Sequence, residues 1–421
     1  MMNFTNLATW ILPWLLLMLI FHSAASQSIV KTLPGYSGNL PFKLETGYVS
    51  VGKNEEIELF YYFIESERNP NVDPLVLWIT GGPGCSGLCG LAFEVGPIAF
   101  DASSFKFNGS LPSFILRPYS WTKIANVIFI DAPVGTGFSY ATQADSCYTS
   151  DTLSAKDTYT FLRKWLLSHP VFITNDLYIS GDSYGGMIIP VVAWEISKGN
   201  EAGLEPQMSL KGYSAGNPVT DNYIDQNEKI PYAHGMALIS DEHFESAKSS
   251  CFGQYVDPDP SNVQCIRALQ LIDDDHMNFF ISYAWANNPA VQDALYVRKG
   301  SIKEWKKCNK SLPYEYNAVS VVRYHQLLSE KKYKALVYSG DHDITVPYLA
   351  TLKWIRQLNL SVVDDWRPWC SVGADKSKPS LFSEEKFKKE KLSIKDNILT
   401  SVFCRLSAEK AENNITDAVF I

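Results

Sequence analysis

The sequence predicts an α/β protein built on one mostly parallel, doubly wound sheet. Three observations predict it. Apolar runs at 75–79, 127–130, 177–180 and 335–338 lack polar alternation, as strands covered on both faces do. Between two of these runs, residues 152–168 have helical spacing, with Leu153, Tyr159, Leu162, Trp165 and Leu166 as the expected inner face. The third run ends in Gly181-Asp182-Ser183-Tyr184-Gly185, a G-x-S-x-G sequence with a helix expected from about Tyr184. Strand, tight turn and helix in that order are the context in which such a serine is lifted clear of a sheet.

In chain order, residues 1–26 read as an export signal. An apolar run from Ala8 to Phe21 is too short to span a bilayer comfortably, and Ala24 and Ser26 are placed for cleavage before Gln27. No Lys or Arg precedes the run, which leaves a signal anchor as the alternative. Residues 57–64 then read as the arm of an antiparallel hairpin. After the strands come an insertion at about 223–309, expected above the sheet as a lid, and the late strand at 335–338. The stretch carries no internal repeat and no low-complexity linker, so residues 27–369 are expected to form one domain.

Composition narrows the function. Hydrophobic residues make up 46% and charged residues 19% of 421, enough for a large core and unlike a disordered chain. The net charge of -8 argues against nucleic acid, which needs clustered Lys and Arg. The Lys-rich stretch 376–395 also holds Asp and Glu, and reads as a solvated face. Export makes the eight cysteines candidates for disulfides. No Cys-x-x-Cys pair or His cluster suggests zinc, so no metal or cofactor is expected, and no membrane contact after signal cleavage. Asn108, Asn309, Asn359 and Asn414 begin N-x-S/T sequences, which support secretion weakly.

Three segments carry chemistry. Ser183 is the candidate nucleophile, because small flanking residues permit the turn and the helix start offers free N–H groups to developing negative charge. Gly81-Gly82-Pro83-Gly84-Cys85-Ser86 follows the first strand and suits an oxyanion loop. A phosphate loop would need a Lys-Ser/Thr after the glycines, and none is present. Ser339-Gly340-Asp341-His342-Asp343 follows the late strand, where the acid of an α/β-hydrolase belongs. On its own that segment reads as an Asx-rich turn.

Together these segments resemble the serine carboxypeptidase-like family, which implies the α/β-hydrolase fold. The resemblance runs through 78–86 (WITGGPGCS), Glu94-Val95-Gly96-Pro97, Tyr119-Ser120-Trp121, 131–140 (DAPVGTGFSY), 181–185, 212–218 (GYSAGNP) and 338–347, within about 33–369. It implies Ser183 as nucleophile, the N–H groups of Gly82 and Tyr184 as oxyanion hole, and Asp343 as triad acid. It places Thr80, Gly81, Glu94 and Asp182 in substrate binding. It also implies disulfides Cys85–Cys308 and Cys251–Cys265, and leaves Cys89, Cys147, Cys370 and Cys404 unassigned.

Family peptidases usually have Asn where Thr80 stands and Glu where Asp182 stands; with the residue at Glu94 these hold a peptide's terminal carboxylate. Thr and Asp are similar to the plant acyltransferase branch, which transfers an acyl group from a glucose ester to an alcohol. The expected partners are therefore an acyl-glucose ester and an alcohol acceptor, with a peptide C-terminus as the alternative and the oligomeric state open. Two departures stand beside the matches. The family's catalytic histidine lies near its C-terminus, yet the seven histidines here are 22, 169, 234, 243, 276, 325 and 342. Residues 370–421 resemble no part of the family, and the lid insertion reads as shortened. The chain is expected in the secretory pathway, extracellular or vacuolar, with impaired catalysis. A non-catalytic binding protein or an aberrant splice product are the remaining alternatives.

Overall fold

A computed structural model describes residues 27–101, 111–256, 258–270, 280–368, 387–394 and 397–404. The export signal, Asn108, Asn414 and Cys370 lie outside them. The main strands are β1 (Gln27–Val30), β2 (Leu44–Val51), β3 (Ile57–Ile64), β4 (Leu75–Ile79), β5 (Asn126–Ile130) and β6 (Leu177–Asp182). They continue with β7 (Leu210–Gly216), β8 (Lys334–Gly340), β9 (Ser361–Pro368), β10 (Phe387–Ile394) and β11 (Asn397–Cys404). With Tyr140–Ala141 beside β3 they form one twelve-stranded sheet in the order β1-β2-β3-β5-β4-β6-β7-β8-β11-β10-β9. From β5 to β11 every neighbouring pair is parallel. The pairs at both edges are antiparallel.

Burial on two faces explains the apolar runs. In β3, Leu59, Tyr61 and Phe63 enter one core while Phe60, Tyr62 and Ile64 enter the other. In β4, Leu75, Leu77 and Ile79 face the first, and Val76 and Trp78 the second. The first core lies under the helices α1 (Asp151–Ser168), α2 (Gly185–Glu201), α9 (Val322–Glu330) and α10 (Tyr348–Gln357). Ser150 caps α1, its side chain accepting from the Leu153 N–H. The inner face of α1 differs from expectation at Leu153, which is 40% exposed, while Ala155, Phe161, Leu162, Trp165 and Leu166 are buried. Leu153 and Leu162 are nine residues apart, two and a half turns, and so stand on opposite sides of the helix.

The stretch after β7 divides in two. Its helices are α3 (Asn222–Asn227), α4 (Lys229–Gly235), α5 (Asp241–Cys251), α6 (Val263–Gln270), α7 (Phe280–Ala286) and α8 (Pro289–Ala294). Residues up to 270 gather round a small cluster of their own, Ile230, Ala247 and Ala268, with α5 and α6 joined by Cys251–Cys265. The second part belongs to the main core: Trp285, Val291, Leu295 and Trp305 are buried with Phe100, Phe114 and Phe138. No helix among the described residues is long and apolar enough to cross a membrane.

Residues 370–421 were expected to resemble no part of the family, and no strand was read in them. Instead β10 and β11 continue the sheet, β11 lying parallel to β8 and β10 antiparallel to β11. The Lys-rich stretch read as a solvated face supplies β10, and a strand next to the sheet's edge does not need the apolar runs of a central one.

Candidate active site

Glycine makes the turn at the end of β6 possible. A Cβ on Gly181 would lie 2.0 Å from the Ile79 carbonyl oxygen, and one on Gly185 would lie 2.6 Å from it. Between them Ser183 has φ +51°, a left-handed conformation that non-glycine residues rarely adopt. Such a residue costs about 1–3 kcal/mol and persists where its surroundings over-determine it. Here the Ser183 N–H donates to Gly216 O at 2.9 Å, and Ser183 O accepts from Gly186 N at 3.0 Å and Val219 N at 2.9 Å. Three bonds thus fix one backbone unit, and α2 starts at once.

The Gly-rich loop lies directly against this turn. A Cβ on Gly81 would stand 2.6 Å from Ser183 Cβ and 2.7 Å from Tyr184 N, so only glycine leaves that N–H open. Gly82 has φ +120°. Among the described residues neither Gly82 N–H nor Tyr184 N–H donates to a protein acceptor. Two unspent donors, one on a glycine loop and one at a helix start, are what an oxyanion hole requires.

Two buried aspartates that sequence reasoning gave no role hold these pieces. Asp131 Oδ1 accepts from Ser86 Oγ at 2.6 Å and Gly87 N at 2.7 Å, and its Oδ2 from Phe138 N at 2.8 Å. Burial pushes Asp131 up to about 6, against the pull of these donors. Asp151, at the start of α1, accepts from Tyr184 OH at 2.6 Å, Tyr314 OH at 2.8 Å and Ala318 N at 2.9 Å. The residue after Ser183 is therefore tied through its ring to another helix. Asp131 was visible within the 131–140 motif; Asp151 reads locally as nothing more than an acidic residue suited to a helix N-terminus.

Thr80, Glu94 and Asp182 form the polar floor. Glu94 is buried and accepts from Trp78 Nε1 at 2.9 Å, and its backbone oxygen accepts from Arg117 Nη1 at 2.5 Å. Asp182 Oδ1 accepts from Gly81 N at 3.3 Å. Burial, and then the charge of Asp182, holds Glu94 well above the usual carboxylate range. Burial lifts Asp182 to about 7, opposed by the Gly81 N–H and by Lys307. Two carboxyls that repel in a desolvated site resist being ionised together. Thr80 Oγ1 is buried without a partner among the described residues. On the far side, Asp343 Oδ1 accepts from Thr345 N at 2.7 Å and Val346 N at 3.2 Å, and Asn217 bonds Ser339, Gly340 and Val346 to hold that loop. Burial raises Asp343, and its charge raises Asp182 in turn.

This arrangement has relatives. The sequence profile of the serine carboxypeptidase family matches residues 34–282 and 273–392. The chain belongs to the serine carboxypeptidase family. The match runs beyond the point, near 369, at which the resemblance was expected to stop. Among its relatives, serine carboxypeptidase-like 17 of Arabidopsis thaliana is 46% identical over 382 residues, 86% of this chain and 87% of the relative. Serine carboxypeptidase-like 2 of the same plant is 48% identical over 380 residues, 84% of this chain and 86% of the relative. The crystal structure of Kex1(Δ)p, a prohormone-processing carboxypeptidase from Saccharomyces cerevisiae, superposes with a TM-score of 0.70 at 21% identity. It covers 91% of this chain and 92% of that one, and establishes the α/β-hydrolase fold.

Among the described residues of this serine carboxypeptidase-like chain, no histidine hydrogen-bonds Ser183 or Asp343. His169 is buried, with Nε2 2.8 Å from Glu45 Oε1 and its ring stacked on Trp165. His325 is buried against Trp354, its Nδ1 2.7 Å from Tyr213 OH, and burial pushes its pKa down to about 3. His234 pairs with Asp241 and His342 with Asp341, each at 2.7 Å, and His243 is exposed. His22 and His276 lie outside the described residues. The disulfides Cys85–Cys308 and Cys251–Cys265 are both formed, while Cys89 and Cys147 are free.

Proposed function

We propose that this protein descends from serine carboxypeptidase-like acyltransferases that move an acyl group from a glucose ester to an alcohol. The observation that carries the reading is the polar floor. Where family peptidases set Asn and Glu to grip a terminal carboxylate, this chain has Thr80 with a partnerless hydroxyl and Asp182 beside Glu94. The carboxyl at 182 is kept in kind; it is the loss of the Asn amide, a donor to a carboxylate, and the gain of the Thr80 hydroxyl, which can donate or accept, that suit a neutral, hydroxyl-rich donor. The family's chemistry assigns the remaining roles. Ser183 attacks the ester carbonyl, the Gly82 and Tyr184 N–H groups receive the oxyanion, and Asp343 orients the base. Gly81 keeps the donor close to Ser183. The acyl-serine then passes its acyl group to an alcohol, provided water is excluded.

The base itself is the weak point: no histidine follows His342 in the 421 residues. The chain as it stands is therefore proposed to turn over poorly, after export to an extracellular or vacuolar space. Joining a relative's His-bearing C-terminal segment behind residue 369 tests the reading. The chimaera is expected to transfer acyl groups from glucose esters faster than it trims peptides. Efficient release of C-terminal amino acids without ester transfer would return the chain to the peptidase branch. Tight ester binding without turnover in the chimaera would favour a binding protein.

A further inference from the structure

Two of the four N-x-S/T sequences beyond residue 26 fall on described residues, and the fold treats them in opposite ways. Asn309 is half-buried beside the Cys85–Cys308 bridge. Its backbone N–H donates to Gly84 O at 2.9 Å, its Nδ2 to Gly135 O at 3.0 Å, and its Oδ1 accepts from Ser311 N at 3.1 Å. The carboxamide is a clasp joining the Gly-rich loop, the 131–140 loop and the chain after Cys308. Its Nδ2 is also the atom that an N-linked sugar must occupy. A glycan there would have to replace the bond to Gly135 and push between two packed loops.

Asn359 is the reverse case. It is exposed, with φ +52°, in the left-handed position that ends α10, its N–H donating to Arg356 O at 3.1 Å. Its carboxamide makes no hydrogen bond among the described residues, and Ser361 of the same sequence is exposed. Helix α10 has ten residues and so rises about 15 Å from its start just after the Asp343 loop. Its far end lies away from the edge of the sheet where the strands deliver Ser183 and Asp343. A sugar at Asn359 extends into solvent without approaching the mouth of the site.

We infer that Asn359 carries an N-linked glycan and that Asn309 in the folded protein does not. In the transfer step Nδ2 of Asn359 forms a bond to the anomeric carbon of an oligosaccharide carried on a polyprenyl diphosphate. The glycosyl–phosphate bond breaks, the lipid diphosphate leaves, and one amide proton passes to a base of the transferase. The inference rests on passage through the secretory pathway and not on acyl transfer. A foreign leader makes it testable apart from residues 1–26.

The full chain, fused behind a cleavable secretion leader, would be secreted from insect cells and its glycans mapped by peptide mass spectrometry. Asn359 is expected to be occupied and Asn309 empty. N359Q should lose that one glycan and, after enzymatic deglycosylation, lower its unfolding midpoint only by the modest strain of Gln at φ +52°. N309Q should leave the glycan pattern unchanged and lower the midpoint, since it frees the clasp. A glycan on Asn309 of folded, secreted protein overturns the inference, and so does an empty Asn359. Should either variant fail to be secreted, the site map of the unsubstituted protein decides alone.

Discussion

Cys404 stands opposite Gly340 in the parallel register of β11 on β8. A strand is therefore present beside the one that delivers Asp343, and it ends at the edge of the sheet where Ser183 is displayed. In Ser–Asp–His hydrolases the histidine comes last in the chain. Here residues 405–421 contain none, although the strand before them is in place. A serine hydroxyl without a positioned base is a poor nucleophile near neutral pH. Loss of a triad member typically costs on the order of 10⁴–10⁶ in turnover. A fluorophosphonate probe is accordingly expected to label Ser183 only at background, with Ser183→Ala indistinguishable from the parent. Rapid labelling abolished by that substitution would show that another histidine, His276 or His342 among them, completes the triad.

The two disulfides should differ in worth. Cys85–Cys308 closes 223 residues and Cys251–Cys265 only 14. Loop-closure entropy alone assigns ~5 and ~3 kcal/mol respectively. The double substitution of Cys85 and Cys308 by Ala is expected to lower denaturant stability more than that of Cys251 and Cys265. Non-reducing peptide maps finding Cys85 and Cys308 as free thiols would remove the premise.

Gly181→Ala tests the elbow. Its Cβ would meet a backbone oxygen, that of Ile79, at 2.0 Å, and neither β4 nor β6 can yield without loosening the Ser183 turn. A loss of about 3 kcal/mol or more is expected, read as a fall in unfolding midpoint or failed secretion. Gly203→Ala serves as the control, because a Cβ there meets nothing within 4 Å. Its φ of +70° leaves only a modest strain of about 1 kcal/mol. Equal stability of the Gly181 variant and the parent would deny that the turn is tightly packed.

Local pattern made the centre of the fold legible and left its edges dark. The four apolar runs became β4, β5, β6 and β8 because strands covered on both faces cannot hide their character. The Gly-flanked serine was legible for a similar reason, since the packing of Ile79 O against Gly181 and Gly185 demands glycine. Asp131 and Asp151 were not assigned, as their partners lie elsewhere in the chain: Ser86 for one, Tyr184 and Tyr314 for the other. Residues 280–305 were assigned to the lid because weak periodicity does not reveal that Trp285 and Trp305 reach the main core. Strand β10 was missed because pairing next to an edge leaves little apolar signature, whereas β11 carries Ile398, Leu399, Val402 and Phe403 and went unread because the resemblance stopped near 369.

Buried carboxyls give the last prediction, a stability that falls as pH rises. Burial lifts Asp131 to about 6, and Asp182 and Asp225 to about 7. Each therefore keeps its proton in the folded chain over a range where an unfolded carboxyl, near 4, has released it. Where the native state binds more protons, stability declines with increasing pH. The contribution is complete below about pH 4 and is lost progressively up to about pH 7. Asp73, held low by Arg68 and Ser66, acts in the opposite sense only at more acid pH, and His325, kept neutral by burial, opposes the trend up to about pH 6.5 as one group against three. The unfolding midpoint should thus be higher at pH 5 than at pH 7.5. Asp225→Asn isolates one group. Asp225 Oδ2 accepts from Thr220 N at 2.7 Å and Asp221 N at 3.0 Å, while Oδ1 has no partner among the described residues. An amide can keep the acceptor and set its NH₂ on the partnerless side, so the variant should fold and show a shallower decline across this interval. Stability that rises from pH 5 to 7.5, or an Asp225→Asn slope equal to the parent's, would mean that these carboxyls are ionised in the folded protein.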